Sequence, residues 1–509
     1  MRLSKISVPP VPERWRRGWS KETVRRGRVV LPIAMTLASC AIYGTSVAGW
    51  ANGSLEEAGA VSTRHPGSLI YEANCAGCHG RALERASATA RVKSEWSYGR
   101  SRFAIGNNIR NGIPSAGMPA WGDILTEDEQ NSLVEYILQT QAAKPLPPKA
   151  LPNTIQTEDY RLKVDVIVDP QLSAPWGIAF IDARRALITD RSGKLFWMID
   201  GAIDPNPIVG FPPVDRATST GGLFDVEIDP DYEKNGWVYL AFAHSERATD
   251  AKSPGMTRVI RGHIEGHEWK RTQSLFRVPD SMHLPGSRHW GGRMLFDKSG
   301  SLYFSIGDMS APKDSQDLSK PSGKLFRIRP DGTAAPGNPF GSADPIRGAI
   351  FSYGNRNIQG LAQHPATGAI WGSEHGPHGG DELNILRAGA NYGWPIATYG
   401  VDYDGSTISE FTEKAGVEKP VRHWTPAPGI SSLDFCGGCL FPKWQNNLFI
   451  GSLSHETLFR FVVDGERITR EEIILKGYGR IREVKFGPDG SLYLALNNPG
   501  AIVRLTPML

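Results

Sequence analysis

Long apolar runs, net charge and cysteine are all scarce in this sequence. The N-terminal apolar stretch, Val29 to Ile42, stops short of the ~20 residues that cross a bilayer as a helix. It follows a basic segment (Arg14, Arg16, Arg17, Arg25, Arg26, Arg28) and precedes small residues at Ser46-Val47-Ala48, which is the order of an export signal. The length of the basic segment also suits an uncleaved anchor, and Leu37-Ala38-Ser39-Cys40 has the look of a lipoprotein cleavage box. All three readings of residues 1–50 put the rest of the chain in the periplasm, with the N-terminus as its candidate membrane tether. Net charge is only +4 over 509 residues, and much of the excess lies in the first 30. No nucleic-acid-binding surface is expected from such a balance. There are five cysteines. Two of them, Cys436 and Cys439, flank two glycines and are followed by Leu440 rather than histidine, so they do not attach a haem. They suit a small disulfide loop in an oxidising compartment; a catalytic dithiol is the alternative, though no βαβ context surrounds them.

Cys75-Ala-Gly-Cys78-His79 has what that second pair lacks. Two thiols three positions apart with histidine next to them is the spacing that attaches a c-type haem. The thiols add to the porphyrin vinyl groups, and His79 is held under the iron. Helical spacing leads into the motif at Ser68–Asn74. Thr126 reads as an N-cap followed by acids, ahead of apolar positions Leu133, Val134, Ile137 and Leu138. Between them, Gly112 to Trp121 is a loop whose Met118 is placed either as the second iron ligand or as a side chain packed on the porphyrin edge. Histidine–methionine ligation raises the potential, as an electron acceptor requires. Residues 64–141 resemble class I cytochrome c along their whole length, including the Gly-Met118-Pro-Ala-Trp stretch.

A chain of this length exceeds what one core organises, and 40% apolar residues suffice for large cores. The 56 glycines and 37 prolines favour many turns between short strands. Residues 142–158, rich in proline, read as an extended linker. Beyond them a pattern recurs six times, at Ile178–Phe196, Val226–Phe242, Met294–Gly307, Leu361–Gly372, Leu440–Ser452 and Val484–Leu496. Each copy joins an apolar start, a Gly/Asp/Asn turn and an alternating strand, as in Asp297-Lys-Ser-Gly300-Ser-Leu-Tyr-Phe304. The expectation is a multi-domain chain: a small all-α cytochrome c domain, then an all-β six-bladed β-propeller over residues 159–509.

Polar clusters fall between the hairpins, where blade loops converge. They include Arg288-His289-Trp-Gly-Gly-Arg293, Tyr353-Gly-Asn-Arg356-Asn357-Ile-Gln359-Gly, Glu374-His-Gly376-Pro377-His-Gly-Gly-Asp381-Glu382-Leu-Asn, Ala390-Asn-Tyr392-Gly-Trp394-Pro and Arg480-Ile-Arg482. On these motifs nearly all of residues 160–509 is similar to the glucose/sorbosone dehydrogenases, soluble quinoprotein aldose dehydrogenases that use pyrroloquinoline quinone. The resemblance implies His289 as general base toward a sugar hydroxyl and Arg356 as the cation steadying charge on the quinone oxygen. It implies quinone contacts from Arg356, Asn357, Tyr403 and Trp424. Arg480 and Arg482 alternate along a strand, so both point to one side, where they suit the cofactor's carboxylates; a solvated pair on an outer strand is the plainer alternative. Glu382, Tyr392 (through its carbonyl), Gly376 and Pro377 match calcium positions, and oxygen is what calcium requires.

The pattern is broken twice. Family members commonly carry lysine where this chain has Ser454 after Ser452-Leu453, and glutamine where Thr220 precedes Gly221-Gly222-Leu223. Losing a lysine opposite a polyanion costs ~1.5–3 kcal/mol where the contact is charge-assisted. The resemblance implies an enzyme that oxidises an aldose or related alcohol or aldehyde, uses the quinone, haem and calcium, and feeds a downstream respiratory electron acceptor. The linker would hold the haem at high effective concentration. The competing expectation is an electron-transfer cytochrome whose propeller only binds a ligand or partner.

Overall fold

The computed structural model describes residues 65–79, 102–113, 118–143, 150–168, 172–216, 220–246, 253–285, 289–341, 343–402, 406–497 and 500–508. The basic and apolar N-terminal segment, with its signal, anchor and lipoprotein readings, lies outside the described residues. Among those described, no helix is long and apolar enough to cross a membrane.

Among the described residues four helices precede the strands: Pro66–Asn74, Ala76–His79, Arg102–Asn111 and Glu127–Ala143. The first is opened by Pro66 and by His65, whose Nδ1 accepts from the Gly67 amide. The last is opened by a reciprocal capping box. Thr126 Oγ1 accepts from the Glu129 amide at 3.3 Å, and Glu129 Oε2 accepts from the Thr126 amide at 2.8 Å. The predicted cap at Thr126 is therefore present. The two helices cross tightly because residue 67 is glycine; a Cβ there would meet the Ser132 carbonyl oxygen at 2.0 Å. Tyr71, Ile105, Ile109, Leu125, Leu133, Val134 and Ile137 form the buried core of this unit.

The remaining chain makes six antiparallel sheets of four strands, one of them extended by a fifth. Blade one comprises Pro175–Phe180, Arg185–Asp190, Lys194–Ile199 and Ala202–Ile203; blade two opens with Leu223–Ile228, three with Met294–Phe296, four with Ile358–Gln363, five with Ile430–Phe435 and six with Arg480–Phe486. The first strands of successive blades touch one another around the ring, and blade six meets blade one. This is the expected six-bladed propeller. Its hairpins carry the predicted turns: Asp297 Oδ1 accepts from the Ser299 and Ser301 amides, and Gly300 takes φ +78°.

Closure revises the expected linker. Blade six takes its outer strand, Arg161–Val168, from the start of the domain, with Leu162 opposite Pro507 and Val168 opposite Ala501. Thr154–Gln156 then adds a fifth strand, with Ile155 buried beside Trp444. Residues 154–158 are thus part of the sheet and its turn rather than free linker. Blade six supplies only three strands from the C-terminal end, so Arg161–Val168 is the fourth that closes the ring. Cys436 and Cys439 are joined as the expected disulfide, in the turn after the first strand of blade five.

Candidate active site

The first strands of the blades all start at one end of the ring, and the predicted polar clusters gather there. His289 precedes the first strand of blade three. Its Nδ1 lies 2.7 Å from Asp308 Oδ1. Asp308 is buried at 2% exposure and is held by three further contacts. Trp394 Nε1 donates to its Oδ2 at 2.8 Å, the Ser310 amide to its Oδ1 at 2.9 Å, and its own amide donates to the Arg356 carbonyl at 2.7 Å. Burial alone would raise the Asp308 pKa, but the hydrogen bond and charge of His289, with Arg356 beyond it, bring it below the ordinary carboxylate value. An ionised Asp308 accepts the Nδ1 proton, so the lone pair of His289 sits on Nε2. Arg356 Nη2 lies 3.2 Å from that nitrogen. Gly307 makes the approach possible, since a Cβ there would be 2.2 Å from the His289 carbonyl oxygen.

Arg356 is buried and further fixed from below. Its Nη1 donates to the His375 carbonyl at 3.2 Å, its guanidinium lies 5.4 Å from the Trp394 ring, and its amide donates to Glu374 Oε2 at 2.9 Å. Asn357 Oδ1 accepts from the Gly291 amide at 3.0 Å and from Gln359 Nε2 at 3.2 Å. Gln359 Oε1 in turn accepts from Arg482 Nη1 at 2.8 Å. One chain of hydrogen bonds therefore runs from the His289 loop to Arg482.

Arg480 and Arg482 lie on the first strand of blade six, at the centre of the ring, which overturns the solvated outer-strand alternative. Arg482 sits at an irregularity in the register between Ile481 and Glu483 and stacks 5.7 Å from the Trp176 ring. Burial, followed by repulsion from Arg480, Arg191 and Arg293, pushes its pKa well below the ordinary arginine value. Arg480 is lowered chiefly by burial, with Glu456 opposing. Arg356, Arg480 and Arg482 thus gather guanidinium charge at this end of the channel, which suits a polycarboxylate.

The calcium positions separate into two places. Glu382 and Tyr392 line a narrow cleft with Tyr399, Glu413 and Glu418. Gly376 and Pro377 lie in the loop beside Arg356, with the Gly376 amide donating to Asp381 Oδ1 at 2.9 Å. Burial and then the neighbouring Glu374 push the Glu382 carboxyl well above its usual range. Asn384 Oδ1 and Asn355 Oδ1 are buried without a partner close by. No cluster of three or more His, Cys, Asp or Glu side chains arranged for a metal occurs among the described residues. A cation held by Glu382 together with carbonyl and amide oxygens suits this surplus of buried oxygen.

Other predicted positions are dispersed. Trp424 is on the outer strand of blade four, opposite Asp381, and its ring lies 6.2 Å from that of Phe461 of blade five. Tyr403 lies outside the described residues. Ser454 and Thr220 are both at the mouth; Ser454 is buried, and Thr220 Oγ1 accepts from Trp290 Nε1 at 3.3 Å. In the helical unit, His79 ends the short helix that contains Cys78. Cys75 and Met118 pack on the same core, and Met118 pairs with Ile113 through two backbone bonds. Burial lowers the His79 imidazole, as suits a neutral iron ligand. Asp308, Glu374 and Gln359 were not singled out from the sequence. The last two lie inside quoted motifs, but only the fold shows that they clamp Arg356 and join Asn357 to Arg482.

Comparison with known proteins agrees with this architecture. The family model described as glucose/sorbosone dehydrogenase matches residues 172–504, and one described as cytochrome c oxidase, cbb3-type, subunit III matches residues 63–137. The chain belongs to the glucose/sorbosone dehydrogenase family, an oxidoreductase family acting on sugars, and carries a cytochrome c domain, which implies haem. It is 38% identical over 354 residues to aldose sugar dehydrogenase YliI of Escherichia coli (strain K12), a match covering 68% of this chain and 93% of that one. The crystal structure of the soluble E. coli aldose sugar dehydrogenase in its apo-form superposes with TM-score 0.63 at 34% identity, over 68% of this chain and 100% of that one. The PQQ-bound aldose sugar dehydrogenase of Streptomyces coelicolor does so with TM-score 0.53 at 26% identity, over 68% and 98%.

Proposed function

We propose that this chain is a periplasmic, pyrroloquinoline-quinone-dependent dehydrogenase that oxidises an aldose or related alcohol or aldehyde. Its electrons pass to the haem on the same chain, and from there to a downstream respiratory acceptor. The observation that carries the reading is the paired orientation of His289: Asp308 fixes its Nδ1 proton, and Arg356 faces its Nε2. The Streptomyces relative, solved with the quinone bound, supports the cofactor, and the E. coli relative, an aldose sugar dehydrogenase, supports the substrate class.

Bound at the mouth, the quinone supplies a two-electron acceptor for hydride. Arg480 and Arg482 hold its carboxylates, with Asn357, Tyr403 and Trp424 as the further contacts implied by the family resemblance. His289 Nε2 takes the proton of the sugar hydroxyl, and Asp308 stabilises the imidazolium that results. Arg356 faces the negative charge that grows on the acceptor side. Calcium would be held at two places, by Glu382 and the Tyr392 carbonyl at one and by the Gly376 and Pro377 carbonyls at the other. The haem would be held covalently by Cys75 and Cys78, with His79 and Met118 on the iron.

The full-length haem protein, reconstituted with quinone and calcium, should show reduction of its haem absorption on adding an aldose, and none without the quinone. An oxidised haem across a panel of sugars, with the quinone bound, would refute the proposal in favour of a propeller that only binds a ligand.

A further inference from the structure

A third guanidinium stands at the edge of the arginine pair. Arg191 occupies the turn after the second strand of blade one, Arg185–Asp190. Its backbone is fixed by a bond from its amide to the Ala174 carbonyl at 3.0 Å. The Asp190 carboxylate locks the same turn by accepting from the Ser173, Ala174 and Ser192 amides. Gly222, at the entry to blade two, is shaped around this residue. It takes φ +147°, and a Cβ there would lie 2.3 Å from the Arg191 carbonyl oxygen and 2.4 Å from its Cγ. Arg191 is half-buried, yet its guanidinium makes no hydrogen bond or ion pair among the described residues.

Ring order gives this position its meaning. Blade six, which carries Arg480 and Arg482, lies between blades five and one. The family's lysine position, here Ser454, is in the turn after the second strand of blade five, Leu448–Ser452. Arg191 is in the matching turn of blade one. The two turns flank the arginine strand from opposite sides. Pro175 pairs with Asp190, so Trp176, the ring under Arg482, follows directly from the partner of the residue before Arg191. Arg482 is 9% exposed, and its Nε has no hydrogen-bond partner among the described residues. Its neighbour Glu483 is already engaged by Arg293 and by Ser432 Oγ.

We propose that Arg191 completes a three-arginine cradle for the cofactor's carboxylates, supplying from blade one the positive charge that Ser454 no longer supplies from blade five. This inference rests on the quinone reading given above. It is consistent with the repulsion from Arg191 that helps depress both Arg480 and Arg482.

Quinone affinity is measured by fluorescence titration of the full-length haem protein, without turnover, for wild type, R191Q, R191K and the double variant R191Q/S454K. R184Q, just before the other end of that strand, is the control. The expected result is an affinity loss of about 10- to 100-fold for R191Q, as for a charge-assisted contact. R191K should fall within a few-fold of wild type, R191Q/S454K should recover much of the loss, and R184Q should show none. With the quinone triester, which lacks the carboxylates, R191Q and wild type should bind alike. Equal affinity of R191Q and wild type for the free acid would overturn the cradle and leave the quinone reading standing. So would a deficit that persists with the triester, since Arg191 would then act only on the fold. Absence of quinone binding by wild type would overturn the quinone reading itself, and the cradle with it.

Discussion

Replacing Asp308 with asparagine tests the catalytic reading most directly, because the change keeps the shape and alters only which atoms carry protons. Asp308 offers two acceptor oxygens, one facing His289 Nδ1 (2.7 Å) and the Ser310 amide (2.9 Å), the other facing Trp394 Nε1 (2.8 Å). Asparagine has one oxygen for these two sides. Trp394 Nε1 and the Ser310 amide can both only donate, so asparagine satisfies one side alone; in the orientation that keeps Trp394 the amide nitrogen faces His289. Nδ1 must accept, which moves the imidazole proton to Nε2, against Arg356 Nη2 at 3.2 Å. A base with its lone pair on the wrong nitrogen cannot take the sugar proton. The analogous change in a serine-protease triad costs ~10⁴ in kcat. The expected loss here is on the order of 10³–10⁴, or ~4–5.5 kcal/mol of transition-state stabilisation. Steady-state rates with quinone, calcium and a dye acceptor measure it, and nitrogen NMR of the imidazole reports the tautomer. Quinone affinity should stay within a few-fold of wild type. A D308N enzyme with kcat within tenfold of wild type, or with the proton still on Nδ1, would refute the reasoning.

Three further outcomes follow from the same geometry. Calcium should raise the melting temperature of wild type but not of E382Q, and its affinity should fall as pH is lowered, because the Glu382 carboxyl, raised by burial and by Glu374, then holds a proton; an equal calcium response in E382Q would exclude this site. C436S/C439S should lose ~2 kcal/mol in denaturant unfolding, the value for closing so short a loop, while kcat is unchanged, since Phe435 pairs with Leu448 at the strand end away from the mouth; a large loss of kcat would contradict that placement. Burial lowers His455 to about 4, so its neutral form stabilises the fold fully above pH 6.5, and this contribution is lost as pH falls from 6.5 toward 4. Over that window wild type should lose ~3 kcal/mol more than H455Q, and parallel stability curves would show that the histidine is not desolvated.

The propeller was legible because its signal is local and repeated. An alternating strand, a turn such as Asp297–Ser301 with glycine at positive φ, and another strand recur six times, and each copy is complete within its own window. Closure was not legible, because Leu162 and Pro507 are 345 positions apart and nothing near residue 154 marks it as the edge of the last blade. The site divides in the same way. His289, Arg356 and the arginine pair could be named from motifs, since each motif is contiguous. Asp308 and Gln359 matter through partners that only the fold brings to them, Trp394 and His289 for the first and Arg482 for the second, and Arg191 lies on a different blade from the arginine pair. Asp308 follows an ordinary strand, and Arg191 sits in a turn that any polar residue would fill. Trp424 stands opposite Asp381, a pairing that its own stretch of sequence does not announce, and its ring lies by the seam between blades four and five.

The centre of the ring explains why those distant residues hold position. The first strands meet around charge rather than apolar side chains. Arg293 is 3% exposed and contacts Asp225, Glu483 and the Gln359 carbonyl, while its guanidinium lies 4.1 Å from the Trp176 ring. Below it a cavity of about 150 Å³ is lined by Glu227, Asp434, Glu483 and Lys485. Apolar residues of the same volume could stabilise such a centre as well or better. They could not fix rotation of one blade against the next, because apolar contacts have no preferred direction. Arg293 joins blades two, three, four and six through directional bonds, and Gln359 carries that constraint to Arg482 on one side and to Asn357 on the other. His289 and the guanidiniums are therefore held in register from inside the channel. The guanidiniums at the mouth keep their spacing because the channel beneath them is braced across four blades by these bonds.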